Sequence, residues 1–320
     1  MKNKLFNMFS HKSITKDDEY AEIPTNFIGF FVMLKRKFWN ISNLNLVYTL
    51  CNIPIVFLLF AATHYLDKAV YTVTSPMQSV FAGIEAASSN PFVSAYFPVV
   101  SGYGVSYTPT TATYIFYALG ALLIFTFGLS NVGAAYCIRG YNRGDPIFIF
   151  SDFFSCIKRN LKQGLIVGIL DVIFCAVLFW DLTFWMSGEG FVNMVLMFAA
   201  IFLVVIYFIM RFYIYTLVIT FDLSIYKIFK NSFLMALLGI KRNALAVIGI
   251  FILFYLNVFI FYLYPPIGLM LPFIITFGIG MFMSGYASYP VIKKYMIDPF
   301  YSNEEEESGE DDEPVFEDRG

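Results

Sequence analysis

FVNMVLMFAAIFLVVIYFIMRFYIY, residues 191–215, runs twenty residues without a charge before it reaches Arg211. At a helical rise of ~1.5 Å per residue those twenty cover roughly 30 Å, the thickness of a bilayer's hydrocarbon core. Strand alternation is absent, and backbone groups in lipid must find partners within their own segment, so the stretch reads as a membrane-crossing helix. Working outward, the same reading applies to 44–66, 112–137, 164–186, 244–263 and 267–289, with 191–218 as the fourth span. The expected fold is all-α, a polytopic integral membrane bundle of six helices. YPPIG (Tyr264–Gly268) joins the last two, and its prolines end one helix and enforce a tight hairpin.

Composition agrees. Of 320 residues, 58% are hydrophobic and 14% charged, against roughly 25% charged in a soluble domain. A water-soluble chain of this makeup would lack the polar side chains to cover its surface. The net charge of −2 hides a segregation: eleven acids and one Arg from Asp298 onward leave residues 1–297 with +8. Three regions follow: a disordered N-terminal segment 1–26, a membrane domain 27–297, and an acidic tail 298–320. The tail's EEEE and EDDE runs repel and stay solvated, either as a plain terminus or as a docking tail for a basic partner.

Lys and Arg gather on one face. Residues 1–43 hold seven, 138–163 five, 221–243 four, 290–297 two and the tail one, while the opposite loops hold only Lys68. This positive-inside pattern places both termini in the cytoplasm. Within IRGYNRGDPIFIFSDFFSCIKRNLKQG (residues 138–164), Phe150, Phe153, Phe154, Ile157 and Leu161 fall at helical spacing. Asp152, Ser155, Lys158, Arg159 and Lys162 face elsewhere, and Asp145-Pro146 reads as an N-cap with proline at the first helical position. A basic helix with an aromatic face lies in the headgroup plane, its cations near anionic lipid. The competing reading makes these cations topology signals on a loop. Nucleic acid is a poor partner, because the basic stripe is flush with the membrane.

The unit recurs. Ile157-Lys158-Arg159-Asn160 returns as Ile240-Lys241-Arg242-Asn243, and LKRKFWN (residues 34–40) sits similarly before the first span. Arg36, Lys37, Lys158, Arg159, Lys162, Lys241 and Arg242 are therefore the expected interfacial anchors of three helical hairpins in series. Before the fifth span, Ile225, Phe229, Phe233, Ala236 and Ile240 share one face. The outer loop 67–111 is long and rich in Ser, Thr, Tyr, Gly and Pro, with a short surface helix expected over 78–87. It reads as an insertion, or more sharply as a lid or outer contact site.

Two ionisable residues fall inside spans, Asp171 and Arg211. Burying either alone costs several kcal/mol by some estimates, and both lie toward the cytoplasmic half of the hairpin formed by spans three and four. They read as a structural pair, as an Arg that snorkels to the interface, or as groups on a substrate or proton path. Asp181 and Glu189 flank the outer end of that hairpin. Gly164 and Gly168 make a GxxxG step, Gly280 and Ser284 a second small step, and Gly128, Gly133, Ala134 and Ala135 a small face on span two. The four cysteines (Cys51, Cys137, Cys156, Cys175) and the two histidines (His11, His64) show no metal-binding spacing. No phosphate loop, HExxH or GxSxG occurs, so no metal, cofactor or enzymatic activity is expected.

FGLSNVGAAYCIRGYNRGDPIFIFSDFFSCIKRNLKQG (residues 127–164) resembles the YesL-like family of bacterial integral membrane proteins, a domain of unknown function. The likeness rests on a small-residue helix ending in Arg139, then Asp152, Phe153, Phe154, Lys158, Asn160, Lys162 and Gln163. It extends to Trp39, Asn45, Leu46 and Pro54 in KFWNISNLNLVYTLCNIPIV (residues 37–56). The long 67–111 loop and the acidic tail depart from the family's pattern. The resemblance implies a Firmicute-type cytoplasmic membrane protein linked to carbohydrate uptake, and it supplies no catalytic residues. The function expected is therefore a non-enzymatic accessory or assembly partner of a membrane complex such as a transporter. The alternative is a small-solute transporter with a polar path near Asp171 and Arg211.

Overall fold

The structure, a computed structural model, describes residues 26–72, 80, 83, 84, 87 and 104–299. The N-terminal segment expected to be disordered, the acidic tail from residue 300, and most of the surface helix expected over 78–87 lie outside the described residues. In chain order the elements are α1 (Phe27–Cys51), α2 (Pro54–Ala62), β1 (Lys68–Thr72), β2 (Gly104–Thr108), α3 (Thr111–Ala121) and α4 (Leu123–Arg143). There follow α5 (Ile149–Arg159), α6 (Leu161–Met186), α7 (Phe191–Thr220), α8 (Ile225–Leu238), α9 (Ile240–Leu263), α10 (Pro265–Leu271) and α11 (Phe277–Ile292). Two π-helical turns, Pro272–Thr276 and Lys293–Ile297, flank α11. Among the described residues five helical stretches are long and apolar enough to cross a membrane, or six if α1 and α2 count as one broken span. The chain is a helical membrane protein. It divides into two compact units, residues 1–52 with 124–320, and residues 53–123.

In the larger unit, α1 is capped by the Asn26 side chain, which accepts from the Gly29 N–H at 2.8 Å. The basic stretch 34–40 and the first span, expected as separate elements, form one helix, because no proline falls between Phe27 and Cys51. The helix breaks at Asn52, two residues ahead of Pro54, whose missing N–H cannot continue it. Met33, Lys37, Ile41 and Leu44 share the face that packs inward. Lys37, expected as an interfacial anchor, is thus 7% exposed, placed by helical phase on the buried side.

Helix α5 begins at Ile149, three residues later than the Asp145-Pro146 reading predicts, with Phe148 as N-cap. Asp145 pairs instead with Arg143 at 3.3 Å. The Asp152 carboxylate accepts the Phe148 N–H at 2.8 Å and so closes the helix start. Its aromatic residues do not act as one face: Phe153 is fully buried, while Phe150 and Phe154 point outward. Phe153 fits because position 133 is glycine; a Cβ there would lie 2.7 Å from its ring. On α8 the buried residues are Ile228, Ser232, Met235 and Ala236; of the expected face Ala236 is buried, Ile225 and Phe229 are half-buried against the same core, and Phe233 and Ile240 are exposed.

The two IKRN copies are out of step. The first straddles the α5–α6 break at Asn160, whereas the second lies wholly inside α9, whose preceding break falls at Gly239. Asn160 Nδ2 donates to the Cys156 carbonyl four residues back, Asn243 Nδ2 to the Ala236 carbonyl seven back. At YPPIG the turn shrinks to Tyr264, with Pro265 at the first position of α10, where a missing N–H costs nothing.

Pro272 opens the π-turn that follows. The carbonyl that its missing N–H leaves open, that of Gly268, accepts from Asn257 Nδ2 at 3.2 Å. Carbonyls of the π-turn itself are met by α1: Asn45 Nδ2 donates to the Pro272 and Phe273 oxygens at 3.0 and 2.6 Å, and Ser42 Oγ to that of Ile274 at 2.9 Å. Asn45 Oδ1 in turn accepts the Gly278 N–H at 2.6 Å. A core around Tyr213, Ile214, Leu217, Ile228 and Val167 and another around Ile41, Leu44, Phe153 and Phe282 fill this unit. Outward, Phe251, Val258 and Tyr262 stand 63–84% exposed, an apolar surface suited to lipid rather than water.

In the smaller unit, α2 packs on α3 through Gly120, where a Cβ would lie 2.9 Å from that of Leu58, and Phe57 meets Phe116 edge-on. β1 and β2 pair antiparallel from Lys68↔Thr108 to Thr72↔Gly104, so the long loop begins and ends in a ladder. Asp67 accepts from the Thr113 hydroxyl and lies 2.7 Å from His64 Nδ1, and Thr110 closes a capping box on α3.

Candidate functional site

Asp171 lies ten residues into the 26-residue α6, roughly 15 Å along its axis. It has no exposed surface. An ionised carboxylate offers about four acceptor sites, each of which must be filled when water is excluded. Arg211 Nε approaches both oxygens, Oδ1 at 3.0 Å and Oδ2 at 3.1 Å. The Tyr207 hydroxyl donates to Oδ1 at 2.8 Å and the Tyr215 hydroxyl to Oδ2. Cys175 Sγ, one turn along α6, completes the set at 3.6 Å.

The donors come from one stripe of α7. Tyr207, Arg211 and Tyr215 are spaced four apart and so point the same way. That Y-x3-R-x3-Y spacing is written in the sequence; reading the charges alone passes over both tyrosines. The Arg211 guanidinium carbon stands 5.1 Å over the Phe127 ring of α4, which covers its other side. Its side chain keeps 25% exposure. It lines a cavity of about 60 Å³ with Asn131, Tyr215, Thr216 and Ser284, room for a few waters.

A polar seam continues toward α1. Tyr48 donates to Asn131 Oδ1 at 3.3 Å, and Asn52 Nδ2 donates to Ser130 Oγ at 2.7 Å and to the Tyr48 carbonyl at 2.9 Å. Asn52 is 7% exposed, and its Oδ1 has no hydrogen-bond partner among the described residues.

The remaining sequence candidates stand apart. Asp181 Oδ1 accepts from Trp185 Nε1 at 2.9 Å and does not meet Glu189. Lys158, Arg159, Lys162 and Lys241 are exposed; Arg36 and Arg242 are half-buried, with the Arg242 guanidinium 6.0 Å over the Tyr286 ring. Gly164 and Gly168 meet Gly128 across the α4–α6 contact, whereas a Cβ at Gly280 would meet nothing within 4 Å among the described residues. No group of three His, Cys, Asp or Glu side chains converges for a metal among the described residues.

A family model described as "Protein of unknown function, DUF624" matches residues 108–182. The chain is similar to that family there. The matched stretch takes in α3–α5 and most of α6, including Asp171 but not Arg211. No curated protein and no solved structure matches the chain.

Proposed function

We propose that this protein is a membrane-embedded binding partner, an accessory or assembly subunit of a larger membrane complex rather than an enzyme. The observation that carries this reading is the saturation of Asp171. A carboxylate that handles a solute or proton must exchange partners, but this one is sealed at 0% exposure by Arg211, two tyrosines and a thiol. Such a charge holds α6 against α7 and leaves the outer surface to do the binding. The YesL-like resemblance supplies the partner class, a carbohydrate-uptake transporter in a Firmicute-type cytoplasmic membrane. The basic loops supply the orientation, both termini inside. Affinity capture from gently solubilised membranes is expected to return a transporter in stoichiometric amount; repeated recovery of the chain alone overturns the reading. Orientation is checked with Ser106→Cys in a cysteine-free chain. Labelling by an impermeant reagent in intact cells is expected, and labelling only after lysis reverses it.

A second reading, a small-solute transporter, is favoured by one observation. The first span is broken at Asn52, whose buried Oδ1 has no hydrogen-bond partner among the described residues, and broken spans often mark transporter sites. Flux into reconstituted vesicles that disappears on Asp171→Asn would select this reading over the first.

A further inference from the structure

A pocket of about 420 Å³ opens between the α5–α6 junction and the end of α7, lined by Arg159, Asn160, Lys162, Gln163, Thr220 and Asp222 among others. Its size falls within the ~300–1,000 Å³ of small-ligand sites, and its chemistry is that of an anion site. Arg159 and Lys162 bring two cations to it. A third, Arg139 of α4, reaches the same wall, where Nη1 donates to Thr220 Oγ1 at 2.8 Å and to the Ile219 carbonyl at 3.2 Å. The guanidinium carbons of Arg139 and Arg159 stand 5.4 and 5.5 Å from the centre of one ring, Tyr136. Two like charges are thus gathered on a single aromatic, and neither they nor Lys162 form an ion pair among the described residues. The one acid in the lining, Asp222, is exposed.

The pocket also receives the N-terminus of α6. Asn160, its N-cap, places no side chain on the first amides and turns back to the Cys156 carbonyl instead. The carbonyl end of α5 closes on the same Asn160, its C-cap, so the two helix dipoles oppose one another there and the side-chain cations carry the site's charge. Gln163 Nε2 ties the two walls together through the Leu223 carbonyl at 2.6 Å. Along α5, whose C-terminal end borders the pocket, Phe148, Phe150 and Phe154 are 74%, 67% and 44% exposed, the aromatic fringe of a membrane–water boundary.

We infer that this pocket binds a phosphate ester at headgroup depth, held by Arg159 and Lys162. A guanidinium grips two oxygens of a tetrahedral anion at once, and an ammonium adds a point charge. The same chemistry is offered by the phosphodiester of an anionic phospholipid and by free phosphate or a phosphorylated solute. The inference stands independently of the accessory role.

The test uses the full chain in phosphatidylcholine nanodiscs, with and without phosphatidylglycerol, reading retained lipid by native mass spectrometry. Arg159→Gln with Lys162→Gln is expected to lower retained phosphatidylglycerol about tenfold, whereas Lys158→Gln, on the same helix but outside the pocket, leaves it unchanged. Asp222→Asn, which removes the pocket's acid, is expected to raise retention, and it serves where the double variant fails to fold. In a second arm, inorganic phosphate is titrated onto the chain in pure phosphatidylcholine discs. Stabilisation that depends on Arg159 there, without phosphatidylglycerol retention, identifies the soluble source. Equal losses in the Lys158 and pocket variants reveal only diffuse surface charge and overturn the site, as does binding of neither probe.

Discussion

Gly128 and Gly168 meet so closely across α4 and α6 that a Cβ on either would lie 2.3 Å from the other's Cα. Gly164 adds its carbonyl oxygen 2.6 Å from the same position on Gly128. Backbone cannot rotate away as a side chain can, so any larger residue separates the helices. Small residues that admit such contact are what hold helices together where lipid provides no hydrophobic drive. Gly168→Ala is expected to lose roughly 1–3 kcal/mol, as overpacking does, read as unfolding in graded denaturing detergent. Gly280→Ala, where none of the described residues lies within 4 Å, is the matched control and is expected to be neutral or better.

For the Asp171–Arg211 pair, removing one partner strands a charge in a sealed site. Asp171→Ala is expected to cost about 3–5 kcal/mol, and the double change with Arg211→Met distinctly less than the sum of the singles. Tyr207→Phe and Tyr215→Phe each remove one donor and are expected to cost about 1–3 kcal/mol. The double-mutant cycle decides the matter: additive losses would mean that proximity carries no coupling.

The membrane spans were legible in the sequence because bilayer thickness sets a length that uncharged runs must meet, and proline marks their ends. Asp171 and Arg211 were legible because a charge inside such a run stands out against it. The two tyrosines beside them were not, since tyrosine is common in this chain and nothing but the four-residue spacing sets these apart. Helical phase was the weak point. Lys37 looks like an anchor because it is charged, yet its position relative to Met33 and Ile41 turns it inward, and on α8 Phe233 of the expected face is left exposed. Asn45 was visible only as part of a family likeness. Its work depends on a π-turn more than two hundred residues away, which local pattern does not disclose.

That work gives a prediction of its own. Asn45 bonds two carbonyls of the π-turn and one amide at Gly278, and it has no exposure. Asn45→Leu keeps the volume and removes all three bonds, leaving the buried Gly278 N–H unmet at about 1–3 kcal/mol and two part-buried carbonyls open besides. The expected result is a strongly destabilised chain whose lesion maps to α10 and α11 by hydrogen exchange, not to α6 and α7. A lesion that spreads evenly over α6 and α7 as well would detach Asn45 from the π-turn.

Asp67 makes the smaller unit sensitive to acid. The Thr113 hydroxyl, and after it the His64 ring, donate to its carboxylate and hold its pKa below the ordinary value. A group whose folded pKa is depressed stabilises the fold while ionised. That contribution is complete above the unfolded pKa of about 3.9 and is lost as pH falls through the lower folded value. Hydrogen exchange at the β1–β2 ladder, corrected for intrinsic rates, is therefore expected to be faster in Asp67→Asn than in the unmodified chain at neutral pH. The two should converge as the medium is acidified below pH ~4. Thr113→Val removes the main donor and is expected to narrow the same gap from the other side. A difference that persists unchanged at acid pH would locate the stabilisation in shape rather than in the carboxylate's charge.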